Sequence, residues 1–157
     1  MEQDNNFIES MKFVSLWEWG DRPDGALTNH PQDRGGLTKY GIAQSSHPDL
    51  DVQTLTLGQA LQLYYTDYWC RYGCPGFPMP LATVRLDCFV NHSPKTAEKL
   101  LDQTTDPHIV LRRRKQFYGE LVNKNPSQSV FLKGWLNRAN DLDKFCSIWE
   151  LKNGRRR

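Results

Sequence analysis

Leu16-Trp17-Glu18-Trp19-Gly20, followed fifteen residues after Glu18 by Asp33-Arg34-Gly35-Gly36-Leu37-Thr38-Lys39-Tyr40-Gly41-Ile42, is the stretch that decides the fold of this chain. The residues before Glu18 have helical texture over about Asn5 to Trp19. Phe7, Met11 and Val14 recur at i, i+4 and i+7, and Glu18 takes the next position of the same stripe. A carboxylate on an apolar helix face is either paired or held partly protonated by desolvation. Beyond Glu18 the texture changes. Pro23-Asp24-Gly25 and Asp33-Arg34-Gly35-Gly36 are turn signals. Short pieces around Ala26-Leu27-Thr28 and Leu37-Thr38-Lys39-Tyr40 are expected to pair as small strands. The local plan is a helix ending on one carboxylate, then a glycine-rich hairpin that folds a second one back toward it.

The rest of the chain reads as helices. Thr56-x-x-Gln59 is a capping box opening a helix to about Arg71 that carries Ala60, Leu61, Tyr64, Tyr68 and Trp69. Cys74-Pro75-Gly76-Phe77-Pro78 interrupts the pattern, and a helix from about Leu81 to Asn91 follows. Ser93-Pro94 and Asp106-Pro107 each set an N-cap before a proline at the first helical position, the second opening a helix to about Lys124. The last helix is expected from Ser129 to Trp149, with the stripe Leu132, Leu136, Ala139, Leu142, Phe145 or Cys146, and Trp149. The expected fold is therefore mainly α (α+β), a helical bundle with one small β-hairpin inserted after the first helix. At 157 residues, with no linker or repeat, one domain is expected. Residues 5–45 would be its helix and hairpin, 52–150 its helical cleft part and 152–157 a basic tail.

A net charge of +2 is too mild to argue for a nucleic-acid partner. The charge is uneven, with runs at Arg112-Arg113-Arg114-Lys115 and Arg155-Arg156-Arg157. Such runs are either a solvated helix face and a frayed tail, or a means of steering toward an anionic polymer. Cys70, Cys74, Cys88 and Cys146 lack the second close pair that a zinc site needs, so no metal and no cofactor are expected. His30, His47, His92 and His108 have no ligand spacing and read as surface residues. The polar start, Met1 to Asn6, lacks the basic and apolar regions of a signal peptide. No apolar run approaches the roughly 20 residues needed to span a bilayer, so no membrane insertion is expected.

Two carboxylic acids in unlike surroundings suit glycoside hydrolysis, which needs one acid to protonate the leaving oxygen and one carboxylate to attack or to activate water. Glu18, on its apolar stripe, suits the first role. Asp33, in a wet turn beside two glycines, suits the second. Thr38 would bring a hydroxyl beside the nucleophilic water. The plainer alternative makes Asp33 an Asx-turn and Thr38 a strand residue. Asp87 and Asn91, at i and i+4, share a helix face and either satisfy buried polar groups or line a sugar cleft. The rings of Tyr40, Tyr68 and Trp69 either stack on sugars or fill the core.

Taken together these motifs resemble glycoside hydrolase family 108, N-acetylmuramidases found chiefly in phages and prophages. The Glu18 and Asp33–Ile42 segments resemble its Glu-Gly-Gly … Asp-Pro-Gly-Gly-x-Thr-x-x-Gly-Ile motif. Tyr64, Tyr65, Asp67, Tyr68 and Trp69 resemble its Tyr-x-x-x-Tyr-Trp helix, and Asp87 to His92 its Asp-x-x-Val-Asn-x segment. Phe131 to Arg138 resembles its closing Gly-Trp-x-x-Arg motif, so the likeness covers residues 10–145. The resemblance implies a lysozyme-like fold and cleavage of peptidoglycan between N-acetylmuramic acid and N-acetylglucosamine. Glu18 would be the general acid, Asp33 the second carboxylate and Thr38 the water-positioning hydroxyl. A phage endolysin released from the host cytoplasm through a holin-type pore is implied, or a virion-borne lysozyme, the chain being a monomer unless assembled in a virion. Two departures stand out: Trp19 replaces the family's first glycine, and the Glu18-to-Asp33 interval is longer than usual. The longer interval makes Asp21 and Asp24 alternative second carboxylates. The alternative function is a lysozyme-fold wall-binding or virion module without turnover.

Overall fold

Fourteen residues from Asn5 to Glu18 form helix α1, and the side chain of Asp4 caps it by accepting the Phe7 N–H at 3.1 Å. The computed structural model describes residues 4–29 and 36–154. The chain forms two compact units, Met1–Arg71 and Tyr72–Arg157.

In the first unit Phe7, Met11 and Val14 are buried along one face of α1, the stripe expected from their spacing. Three short strands follow, β1 (Thr28–Asn29), β2 (Leu37–Lys39) and β3 (Ile42–Ala43), in an antiparallel sheet of that order. The expected hairpin is thus present, with β1 two residues later than the Ala26–Thr28 reading and with a third strand added. Thr56 and Gln59 make the capping box that opens α2 (Leu57–Leu63). At Tyr64 the α-helix widens to a π-helix that runs to Cys70. This wider turn faces α1. Phe7 packs edge-on against Tyr65 at 5.1 Å and meets Trp69 at 5.7 Å. The loop between sheet and α2 is drawn in by Gln44, whose amide nitrogen donates to the His47 and Leu50 carbonyls.

The second unit is helical: α3 (Leu81–Asn91), α4 (Pro94–Leu101), α5 (Pro107–Lys124) and α6 (Ser129–Asn153). Ser93 and Asp106 cap α4 and α5 with proline in the first turn, as expected. The short link after Lys124 makes α5 and α6 an antiparallel pair. Tyr118 stacks on Trp135 midway, and His108 meets Asp143 and Glu150 near the start of α5. Helix α6 continues to Asn153, whose amide donates to the Trp149 carbonyl. Lys152 is therefore helical and not part of a loose tail, while residues 155–157 lie outside the described residues. Among the described residues no helix is long and apolar enough to cross a membrane.

Candidate active site

Glu18 is the last residue of α1, half-buried, and the chain turns sharply after it. Gly20 adopts a left-handed conformation (φ 62°), and its N–H joins that of Trp19 in donating to the Ser15 carbonyl. This satisfies a carbonyl that would otherwise be orphaned at the helix end. Trp19, the departure from the family's glycine, is only 9% exposed. Its ring meets Tyr40 edge-on at 5.5 Å and Tyr64 at 6.0 Å. The large residue is used as a wedge between the end of α1, the sheet and the π-helix.

Strands β2 and β3 pair Lys39 with Ile42, so Tyr40 and Gly41 form a two-residue hairpin loop. Both have positive φ, 51° and 73°, the signature of a type I′ turn. For a tyrosine this conformation costs about 1–2 kcal/mol. The cost is offset by what the ring touches. A Cβ added to Gly25 would lie 2.7 Å from the Tyr40 ring, so the ring sits flat on that glycine. The Tyr40 N–H also donates to the Gly25 carbonyl at 2.7 Å. Gly41 needs its missing side chain for a different reason: a Cβ there would lie 2.8 Å from Glu18 Oε2 and would collide with the Tyr64 hydroxyl. The backbone of the turn thus lies directly against the Glu18 carboxylate.

Thr38 is in the middle strand, paired with Thr28 on one side and Ala43 on the other, with Oγ1 3.5 Å from the Gly36 carbonyl. Asp33 and His30 lie outside the described residues. Asp21 and Asp24 are exposed, and Asp24 is engaged in an Asx-turn, accepting the Ala26 N–H at 3.0 Å. Tyr40 and Tyr68 are half-buried. Trp69 is not available for sugar stacking: it is fully buried, and its indole N–H donates to Asp4 Oδ2 at 2.6 Å.

In the second unit Asp87 is likewise removed from any cleft role. It is fully buried, with Oδ2 accepting from Arg114 Nη1 at 2.6 Å and Oδ1 from Arg138 Nη2 at 2.7 Å. Burial opposes ionisation of its carboxyl, but the two guanidiniums outweigh it and hold the pKa below the usual carboxylate value. Asn91, one turn on, is exposed at the end of α3 and donates to the Asp87 backbone carbonyl. Arg114 also corrects the reading of its run as a solvated face, since it is fully buried and donates through Nε to the Tyr118 hydroxyl at 2.7 Å. That leaves the Tyr118 proton for His92 Nε2, 3.3 Å away. Burial, with Arg114 adding to it, lowers the His92 pKa to about 4.

The three described histidines are not simple surface residues. His92 is half-buried with its pKa lowered, His47 approaches Asp67 at 3.4 Å, and His108 lies between two carboxylates. The four cysteines are free thiols, and burial pushes that of Cys88 up to about 11. Sequence reasoning passed over Tyr64 as a site residue. Its hydroxyl donates to the Tyr40 carbonyl at 3.0 Å across 24 residues of sequence, a contact no local pattern signals.

The mainly α architecture, with a small sheet after the first helix, is that of a lysozyme-like fold. No curated protein matches the chain. A solved structure described as Brucella abortus SagA is similar to it with a TM-score of 0.61 and 21% identity, covering 92% of this chain and 95% of that one, and so shares its fold. The model of the family described as Glycosyl hydrolase 108 matches residues 18–93, beginning on Glu18 and taking in the sheet, α2, the π-helix and α3. Over that segment the chain is similar to Glycosyl hydrolase 108, a family of glycosidases.

Proposed function

We propose that this chain is a peptidoglycan hydrolase, a muramidase that cleaves between N-acetylmuramic acid and N-acetylglucosamine. One observation carries the reading: the Glu18 carboxylate is half-buried at a helix end and lies against the bare backbone of Gly41, within the family-matched segment. A carboxyl at a helix end beside a glycine turn, still reachable from outside, is suited to deliver a proton to a leaving oxygen. Asp33, in the segment joining β1 to β2, serves as the second carboxylate, and Thr38 on β2 positions the water. The half-buried rings of Tyr40 and Tyr68 offer apolar faces to the sugars. In this reading the protein is a phage endolysin or virion-borne lysozyme that reaches the wall by holin-type release or with the particle.

The test is peptidoglycan digestion by wild type and Glu18→Gln, followed by mass spectrometry of the products. Wild type is expected to leave N-acetylmuramic acid at the new reducing ends. Glu18→Gln is expected to lose about 10²–10⁴-fold in turnover, the usual worth of a general acid, with a melting temperature near wild type. More than about a tenth of wild-type turnover in the variant would remove Glu18 from the role. Reducing-end N-acetylglucosamine would make the enzyme a glucosaminidase.

A further inference from the structure

Tyr64 is one of the largest fully buried side chains of the protein, and its hydroxyl reaches outside its own helix. It donates to the carbonyl of Tyr40, the peptide at the centre of the β2–β3 turn, at 3.0 Å. That peptide leads into Gly41, where an added Cβ would run into both the Tyr64 hydroxyl and Glu18 Oε2. Two groups from separate elements therefore flank the open side of this glycine in the turn: a phenol from the π-helix and a carboxylate from the end of α1. The rings around them leave little freedom, since Trp19 packs on both Tyr40 and Tyr64, and Tyr68 lies 5.7 Å from Tyr64.

We propose that Tyr64 is a positioning residue for Glu18: by holding the Tyr40–Gly41 peptide it fixes the backbone wall against which the carboxylate rests. This rests on the reading of Glu18 as the general acid. The π-helix has a part in it. Tyr64 is its first residue, and the wider winding from Tyr64 to Cys70 sets the azimuth at which Tyr64 leaves the helix. Without the hydroxyl, the turn peptide loses a part-buried hydrogen bond and is free to rock. The carboxylate then moves relative to the glycosidic oxygen, and displacement of about 1 Å in such a group is enough to cost up to 10²-fold in rate.

The experiment is a cycle of Tyr64→Phe, Gly41→Ala and the double variant, with Glu18→Gln alongside. Tyr64→Phe keeps the buried ring and so keeps the fold, which circular dichroism and the melting temperature check. Its kcat is expected to fall roughly 10-fold or more, with KM within about twofold and the acid limb of the pH–rate profile displaced. Gly41→Ala brings a methyl against both the hydroxyl and the carboxylate. Its loss is expected to be smaller in the Tyr64→Phe background than in wild type, because one of the two collisions is gone. Wild-type kcat and an unmoved pH profile in a folded Tyr64→Phe protein would overturn the proposal. So would strict additivity of the two substitutions. Neither outcome touches the role of Glu18, which fails only if Glu18→Gln remains active.

Discussion

Asp87 and Glu18 are both acids set on helix stripes otherwise given to packing, and they end in opposite environments. Asp87 lies in the interior of α3, fully enclosed, with each oxygen taken by a guanidinium from another helix. Glu18 is the terminal residue of α1, half-exposed, and its neighbour is a turn. Position along the helix decides between them. An acid in mid-helix is walled in by the next turns on both sides and has to draw its cations inward. An acid in the last turn meets whatever the following loop brings, and stays reachable from outside.

Asp87→Asn bears hardest on this contrast. It leaves two guanidiniums facing a neutral amide in a dry interior, a loss expected at about 3–5 kcal/mol in urea unfolding. A loss below about 1 kcal/mol would mean that the cluster is as wet as a surface pair and that the two acids are alike. Next comes the partner of Glu18. Asp33→Asn is expected to reduce turnover about 10²-fold or more, with Asp21→Asn and Asp24→Asn changing it only a few-fold. If Asp24→Asn proves the most damaging, the exposed turn next to Tyr40 carries the chemistry and the reachable acids have to be reassigned.

The smallest effect is expected at His108, an intermediate case between the two acids. Burial lowers its pKa, but the hydrogen bonds its ring donates to Asp143 at 2.5 Å and Glu150 at 3.1 Å outweigh that and raise it above the ordinary 6.5. A pKa raised by folding stabilises the native state fully below the unfolded value, and the benefit fades as pH climbs through the folded value. The stability advantage of wild type over His108→Gln in urea is therefore expected to be complete below pH 6.5 and to shrink above it. An advantage that grew with pH would show that the two carboxylates repel one another more than the imidazolium joins them.

Much of this was legible beforehand where the signal is local. Thr56 with Gln59, Ser93 before Pro94 and Asp106 before Pro107 act through backbone groups within three residues, so their patterns name the helix starts directly. Glu18 was found by the same helical arithmetic, as a charge on an apolar stripe. That arithmetic also held the answer for Arg114, which falls at i+4 from Val110 and i−4 from Tyr118, both buried. The run of four basic residues drew attention away from the stripe. Trp69 and Tyr64 were beyond reach because their partners, Asp4 and the Tyr40 carbonyl, are set by tertiary packing across 65 and 24 residues.

Asp4 has a practical consequence for anyone who modifies the start of this chain. One of its carboxylate oxygens seeds α1, and the other accepts the indole N–H of Trp69 in the π-helix that also carries Tyr64. The helix it begins is a rod on the order of 21 Å long, with Glu18 at its far end. A fusion partner joined without a spacer, or a trimmed start that removes Asp4, therefore disturbs the site from its remote end. Activity compared between differently tagged preparations will report on Asp4 as much as on the tag.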